Sequence, residues 1–257
     1  VEQIEADVSG RRLALRRRDL PRRLELRPVL QRVERRLAVR PEREAFAVAL
    51  VGLNPVVLFQ SAASGHNDLL VALAIAVALA LVFSGRELWA TAALALGTLV
   101  KVTVAVPLLL LWVAVAARRP RGQRVRALAP HVVLAGAFAL VTVAPFANTA
   151  DPTLGVVELG SHEGWLAPSR PFRRLFDALS GDVLGFVPRI AFAVVAVIAV
   201  FLVARALWRR GPEIGSALVG ASWGWGLLCL MLLGPVLLPW YVTWALPLGW
   251  LLPRVPR

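Results

Sequence analysis

The run LWATAALALGTLVKVTVAVPLLLLWVAVA, residues 88–116, carries one charge in 29 positions, and that charge is Lys101, near its middle. A hydrocarbon core takes ~20 helical residues, so the run is too long for one upright span and too short for two full ones. One long tilted helix would hold the ammonium close to mid-bilayer, at a cost of roughly 2.5–3.5 kcal/mol on insertion scales. A hairpin of two short helices puts Lys101 near the apex instead. The flanks favour the hairpin, because the run has to start on the cytoplasmic side and also end there, where the arginines of 118–126 follow it.

Outward from this run the same pattern repeats. The chain of 257 residues is 58% hydrophobic with a mean hydropathy of +0.68, and its apolar residues fall in the long runs 68–83, 127–146, 185–207 and 214–238. Such runs need lipid around them. None has the form of a cleavable signal peptide. The fold expected is all-α, a polytopic bundle of about 6–7 transmembrane helices. Arginines cluster between the spans at 1–44, 118–126, 205–210 and at Arg254 with Arg257. With those clusters inside, 45–60 crosses outward, 68–83 returns, 88–116 forms the hairpin, 127–146 goes out, 185–207 comes in, 214–233 goes out and 240–252 comes in. Of 28 arginines, 24 then lie on the cytoplasmic side of a multi-pass membrane protein.

Two domains follow from this division. Residues 1–44 hold 13 Arg and 8 acidic residues broken by Pro21, Pro28 and Pro41, and they read as a basic cytoplasmic arm or as the altered start of a truncated chain. Val29, Leu30, Val33 and Leu37 share one helical stripe, so 28–40 is either a surface-bound amphipathic helix or part of a solvated arm. Residues 45–253 form the transmembrane domain, with an external loop at 147–184 that is long, polar and proline-bearing. The chain opens at Val1 on charged sequence, and it is expected to be a fragment.

The net charge of +13 does not point to nucleic acid, since the arginines sit between apolar runs and not on one basic face with aromatic platforms. No Gly-rich nucleotide loop, ATPase motif or Cys/His metal set is present, and the single Cys229 has no partner in sequence. No cofactor is expected, and a divalent metal has no ligand set to support it.

Residues able to carry chemistry fall in three places. Ser64-Gly65-His66-Asn67-Asp68 is the densest polar cluster against a span. His66 and Asp68 are candidate catalytic groups, one carboxylate serving as base or as partner to the imidazole, and Asn67 can position a hydroxyl. The plain alternative is helix capping by Asn67 or Asp68, which leaves His66 unexplained. Lys101, the only lysine, can hold an anionic group at the hairpin apex or can simply snorkel to the interface. Trp240 and Tyr241, with Trp244, stand between prolines at the outer boundary, as an interfacial belt or as the wall of a binding pocket. His162, Glu163 and Trp165 in the external loop are further binding candidates.

Four motifs, in order and spacing, carry a resemblance: Asn54-Pro55-Val56-Val57-Leu58, Gly65-His66-Asn67-Asp68, Gly97-Thr98-Leu99-Val100-Lys101, and Pro239-Trp240-Tyr241-Val242-Thr243-Trp244 with Pro247. Across residues 36–252 the chain resembles the C-terminal portion of polyprenol-phosphomannose-dependent α-1,6-mannosyltransferases of actinobacteria, enzymes of GT-C type. The resemblance implies a hexose carried on polyprenyl phosphate and transferred with inversion, outside the cytoplasmic membrane, to a glycan or glycolipid acceptor. It puts His66, Asn67, Asp68 and Lys101 on recurrent polar positions and Trp240 and Tyr241 on a late aromatic motif. The family's acidic residue of the first external loop would precede residue 1, and residues 1–35 depart from the family by being charged and non-spanning. Two other classes compete: a small transporter or permease, in which His66, Asp68 and Lys101 line a polar path, and a noncatalytic membrane scaffold. A transporter commonly carries paired broken helices, and no second copy of the Lys101 hairpin is found.

Overall fold

A computed structural model describes residues 53–55, 58–59, 67–146, 164, 166–181, 183–234, 241–245 and 248. Helix is the only regular structure among them. The arm at 1–44 and most of the expected crossing at 45–60 lie outside the described residues.

Helix α1 (Asp68–Phe83) is apolar after its first residue, and it buries Val71, Ile75, Ala78 and Val82, which recur at helical spacing on one face. It stops at Ser84-Gly85, where Gly85 takes φ +71, a backbone conformation that favours glycine. Helix α2 (Glu87–Val100) follows and packs along α1. At Lys101 the backbone is extended (φ −154, ψ 121), and a 3-10 turn at Val102–Val104 leads into α3 (Ala105–Ala117). The β-branched run Val102-Thr103-Val104 is a weak helix former. Pro107, the third residue of α3, fits only a first turn, where its missing N–H costs nothing. One continuous helix through 88–116 is thereby disfavoured.

The break is a hairpin. Arg118, just past the end of α3, pairs with Glu87 at the start of α2, so the two helices return to the same end of the bundle. Helix α3 is buried on nearly every side, between α2, α4 (Arg124–Val143), α6 (Phe186–Arg210) and α7 (Ser216–Leu233). Small residues permit the closest approaches. A Cβ on Gly97 would stand 2.9 Å from Ala74 Cβ, and one on Gly226 would stand 2.8 Å from Val106 Cγ1.

The outer surface is apolar. On α4 only His131 and Ala135 are buried, while Leu140 is 70% exposed, and on α6 Val197 is 70% exposed. Apolar side chains exposed in this way on two helices suit lipid or another apolar partner. Arg121–Val143, Phe186–Glu213 and Ser216–Leu233 are long and apolar enough to cross a membrane, and the shorter apolar helices Asp68–Phe83, Glu87–Val100 and Val102–Ala117 pack with them.

One difference from the sequence expectation lies in the 147–184 loop. It holds a further helix, α5 (Arg170–Ser180), which starts with Pro171 in its first turn and ends at Gly181 with φ +63. Of the last expected span at 240–252, the described part contains one short helix, α8 (Val242–Ala245).

Candidate functional site

The elements that meet at the apex end bring several polar groups together. Asn67 precedes α1, and its backbone carbonyl, not its side chain, receives the first amides, Leu70 N at 3.0 Å and Val71 N at 3.3 Å. Its side-chain amide donates weakly to Val100 O, at 3.5 Å, where α2 ends. Asp68 is the first residue of α1, and its carboxylate is turned inward, with the residue 1% exposed. Side-chain capping therefore does not account for Asp68.

Two donors converge on one oxygen of that carboxylate. Lys101 Nζ donates to Asp68 Oδ1 at 2.7 Å, and Trp244 Nε1 donates to the same atom at 2.7 Å. Tyr241 and Trp244 stack with ring centroids 4.0 Å apart, and Lys101 Nζ lies 4.4 Å from the Tyr241 centroid and 4.7 Å from that of Trp244. The ammonium is thus held by a carboxylate and by two aromatic faces, which attract a cation through their π quadrupoles. About one fifth of the Lys101 side chain stays open to the surroundings.

Removing either ion from water costs several kcal/mol, so each is tolerable in an apolar bundle because the other is present. The arrangement can present one cation, partly open, beside an aromatic wall. A phosphate oxygen is a suitable ligand for that cation, and a sugar ring is a suitable ligand for that wall. Among the described residues, no three His, Cys, Asp or Glu side chains gather as a metal site.

Of the residues singled out from the sequence, Asn67, Asp68, Lys101 and Tyr241 come together here. His66, His162, Glu163 and Trp240 lie outside the described residues. The sequence offers Trp244 as part of an interfacial belt or of a pocket wall, and the structure makes it a direct partner of Asp68, from 176 positions away.

A second polar cluster stands toward the opposite end, and the sequence reading passed over it. Thr91 Oγ1 and His131 Nδ1 lie 2.7 Å apart, both buried, and tie α2 to α4. Arg118 pairs with Glu87 and also donates from Nε to Ile214 O at 2.9 Å. Arg124 lies over the Trp208 ring, 4.5 Å from its centroid. Ionisable residues inside apolar runs were the available signal for His131.

Residues 27–118, a little over a third of the chain, match a protein-family model described as alpha-(1->6)-mannopyranosyltransferase, N-terminal domain. The match supports the mannosyltransferase resemblance, although that resemblance placed the chain in a C-terminal portion. It takes in Asn67, Asp68 and Lys101 and leaves Tyr241 and Trp244 outside. No curated protein and no solved structure matches the chain.

Proposed function

We propose that this chain is a membrane glycosyltransferase of GT-C type, or a part of one, that moves a hexose, mannose in the first instance, from a polyprenyl-phosphate donor to a glycan or glycolipid acceptor. The match over residues 27–118 supports the transferase class. The observation that carries the proposal is the convergence of Lys101 and Trp244 on one oxygen of Asp68, at the end of the bundle away from the Glu87–Arg118 pair.

In this reading the apex end faces the outer side of a cell membrane that the chain crosses about six to seven times, the shorter helices included. Lys101 meets the phosphate of the lipid-linked donor, and negative charge building on that phosphate as the glycosidic bond breaks is stabilised by the ammonium. Asp68 serves first as the positioning residue that sets Lys101 and Trp244, because its carboxylate is buried and already accepts two donors. Tyr241 and Trp244 supply a wall for the sugar or the first prenyl units. Asn67 and His66 stand next to this group in sequence and are proposed to contact the sugar, His66 with a catalytic role, and Trp240, His162 and Glu163 are proposed to contact the acceptor.

The test is incorporation of radiolabelled mannose from polyprenyl-phosphate-mannose by membranes in which the gene encoding this chain is expressed. Label should enter a glycan or glycolipid pool, and the rate should fall on the order of a hundredfold in Lys101→Met, the size of loss typical for one transition-state contact. Equal incorporation with and without the gene, or full activity in Lys101→Met at matched protein, overturns the assignment.

A further inference from the structure

Helix α5 (Arg170–Ser180) has a built-in asymmetry that the bundle does not consume. At 100° per residue, Phe172, Leu175, Phe176 and Leu179 fall in one ~100° arc, and Arg170, Arg173, Arg174 and Asp177 fill the arc opposite. Phe172 meets Phe192 of α6 with ring centroids 5.6 Å apart, and this contact fixes the helix beside the start of that span. Phe176 is half-buried, while Leu175 and Leu179 are open, at 54% and 79% exposed. An isolated helix of 11 residues is marginal in water, so an apolar stripe left there would favour unfolding.

Depth and continuity indicate what covers the stripe. Phe192 is the seventh residue of α6, ~9 Å along its axis from Phe186 at 1.5 Å per residue. The apolar arc of α5 therefore sits level with the first two turns of a helix whose own Phe186, Ile190 and Val194 are exposed and apolar. The stripe continues the lipid-facing surface of that span. On the opposite arc Arg173 pairs with Asp177 at 3.4 Å and Arg174 is exposed, a cation placed to meet lipid phosphates.

We infer that α5 is an interfacial anchor lying flat in the headgroup region of the bilayer, with Leu175 and Leu179 in the acyl layer and Arg174 at the phosphate level. Amphipathic helices with this division enter the headgroup boundary by ~5–10 Å, which matches the depth at which Phe172 meets α6. The inference needs the chain to span a membrane. It does not depend on the transfer reaction.

The experiment is nitroxide accessibility in the full chain, with Cys229→Ser as background and single labels on Leu175→Cys, Leu179→Cys, Arg174→Cys and Val197→Cys, in vesicles of phosphatidylcholine with phosphatidylglycerol. Val197 reports hydrocarbon exposure on α6 and shows that the bundle is folded. The ratio of collision with oxygen to collision with a water-soluble nickel chelate should be at least about threefold higher at Leu175 and Leu179 than at Arg174, and closer to that at Val197. Leu179 as open to nickel as Arg174 would mean that the helix stands in water. Leu179 closed to both reagents would mean that protein covers it, from a second copy or another partner. Either result overturns the anchor.

Discussion

Asp68 is tolerated at 1% exposure because Lys101 and Trp244 both meet its Oδ1. Removing one partner from a buried ion pair typically costs ~3–5 kcal/mol, because the other charge is stranded. Lys101→Met should therefore destabilise the chain by about 3 kcal/mol, the low end, since one fifth of the lysine is open. The double change Asp68→Asn with Lys101→Met should recover most of that loss. Unfolding in detergent micelles measures both, and a double variant no more stable than the single one would show that the pair is not what holds these residues. Trp244→Phe keeps the stack on Tyr241 but loses the donated hydrogen bond, worth ~1.5–3 kcal/mol when the acceptor is charged, and the same unfolding assay should register that loss. Lys101 and Asp68 were each legible in the sequence as ionisable groups bordering apolar runs. Their pairing was not, because 33 positions separate them and Trp244 is 176 from Asp68, distances over which no local period operates.

The helices are set by where side chains are missing as much as by where they are present. Gly97 faces Ala74 of α1 and Val104 of the apex turn, and a Cβ there would stand 2.9 Å and 3.1 Å from them, closer than settled contacts allow. Neither an alanine methyl nor a β-branched valine can swing aside, so Gly97→Ala has to part α1 from α2. A cost of about 1–3 kcal/mol is expected, as for other overpacked cores. Gly136 on α4 has nothing within 4 Å of such an atom, so Gly136→Ala should be neutral or stabilise by up to ~1 kcal/mol. Melting both variants in the same detergent is the comparison, and equal losses would mean that the helix approach at Gly97 is looser than the structure has it. The hairpin itself was legible from Lys101 and the flanking charges, and Pro107 was a further sign of it. Helix α5 was hidden by its setting in a polar, proline-bearing loop, although Phe172, Leu175, Phe176 and Leu179 already carried helical spacing between Pro171 and Gly181.

At the scale of the molecule, the six principal helices among the described residues alternate in direction, so their ends sort into two layers, one of them the richer in arginine. Arg86, Arg118, Arg119, Arg121, Arg124, Arg126, Arg205, Arg209 and Arg210 flank the ends where α1, α3 and α6 finish and α2, α4 and α7 begin. Ser216 Oγ donates to Val82 O at 3.2 Å, and Arg118 Nε reaches Ile214 O, so these ends are in contact and not merely alike in composition. The Asp68 cluster and α5 belong to the other end. Composition revealed the alternation because charge marks the helix ends. It could not fix the crossing count, since α2 at 14 residues covers only ~21 Å, short of a ~30 Å hydrocarbon core, and a short helix can stand among longer ones. Basic residues near span ends are retained in the cytoplasm, so the arginine-rich layer is expected inside and the Asp68 layer outside. In intact cells and on the Cys229→Ser background, a cysteine replacing Arg174 should react with a membrane-impermeant thiol reagent, while one replacing Arg121 should react only after the cells are opened. The reverse pattern would invert the molecule and place Lys101 in the cytoplasmic leaflet. Labelling of both in intact cells would mean that α4 does not cross, and would remove the argument that one end of this bundle alone meets an external donor.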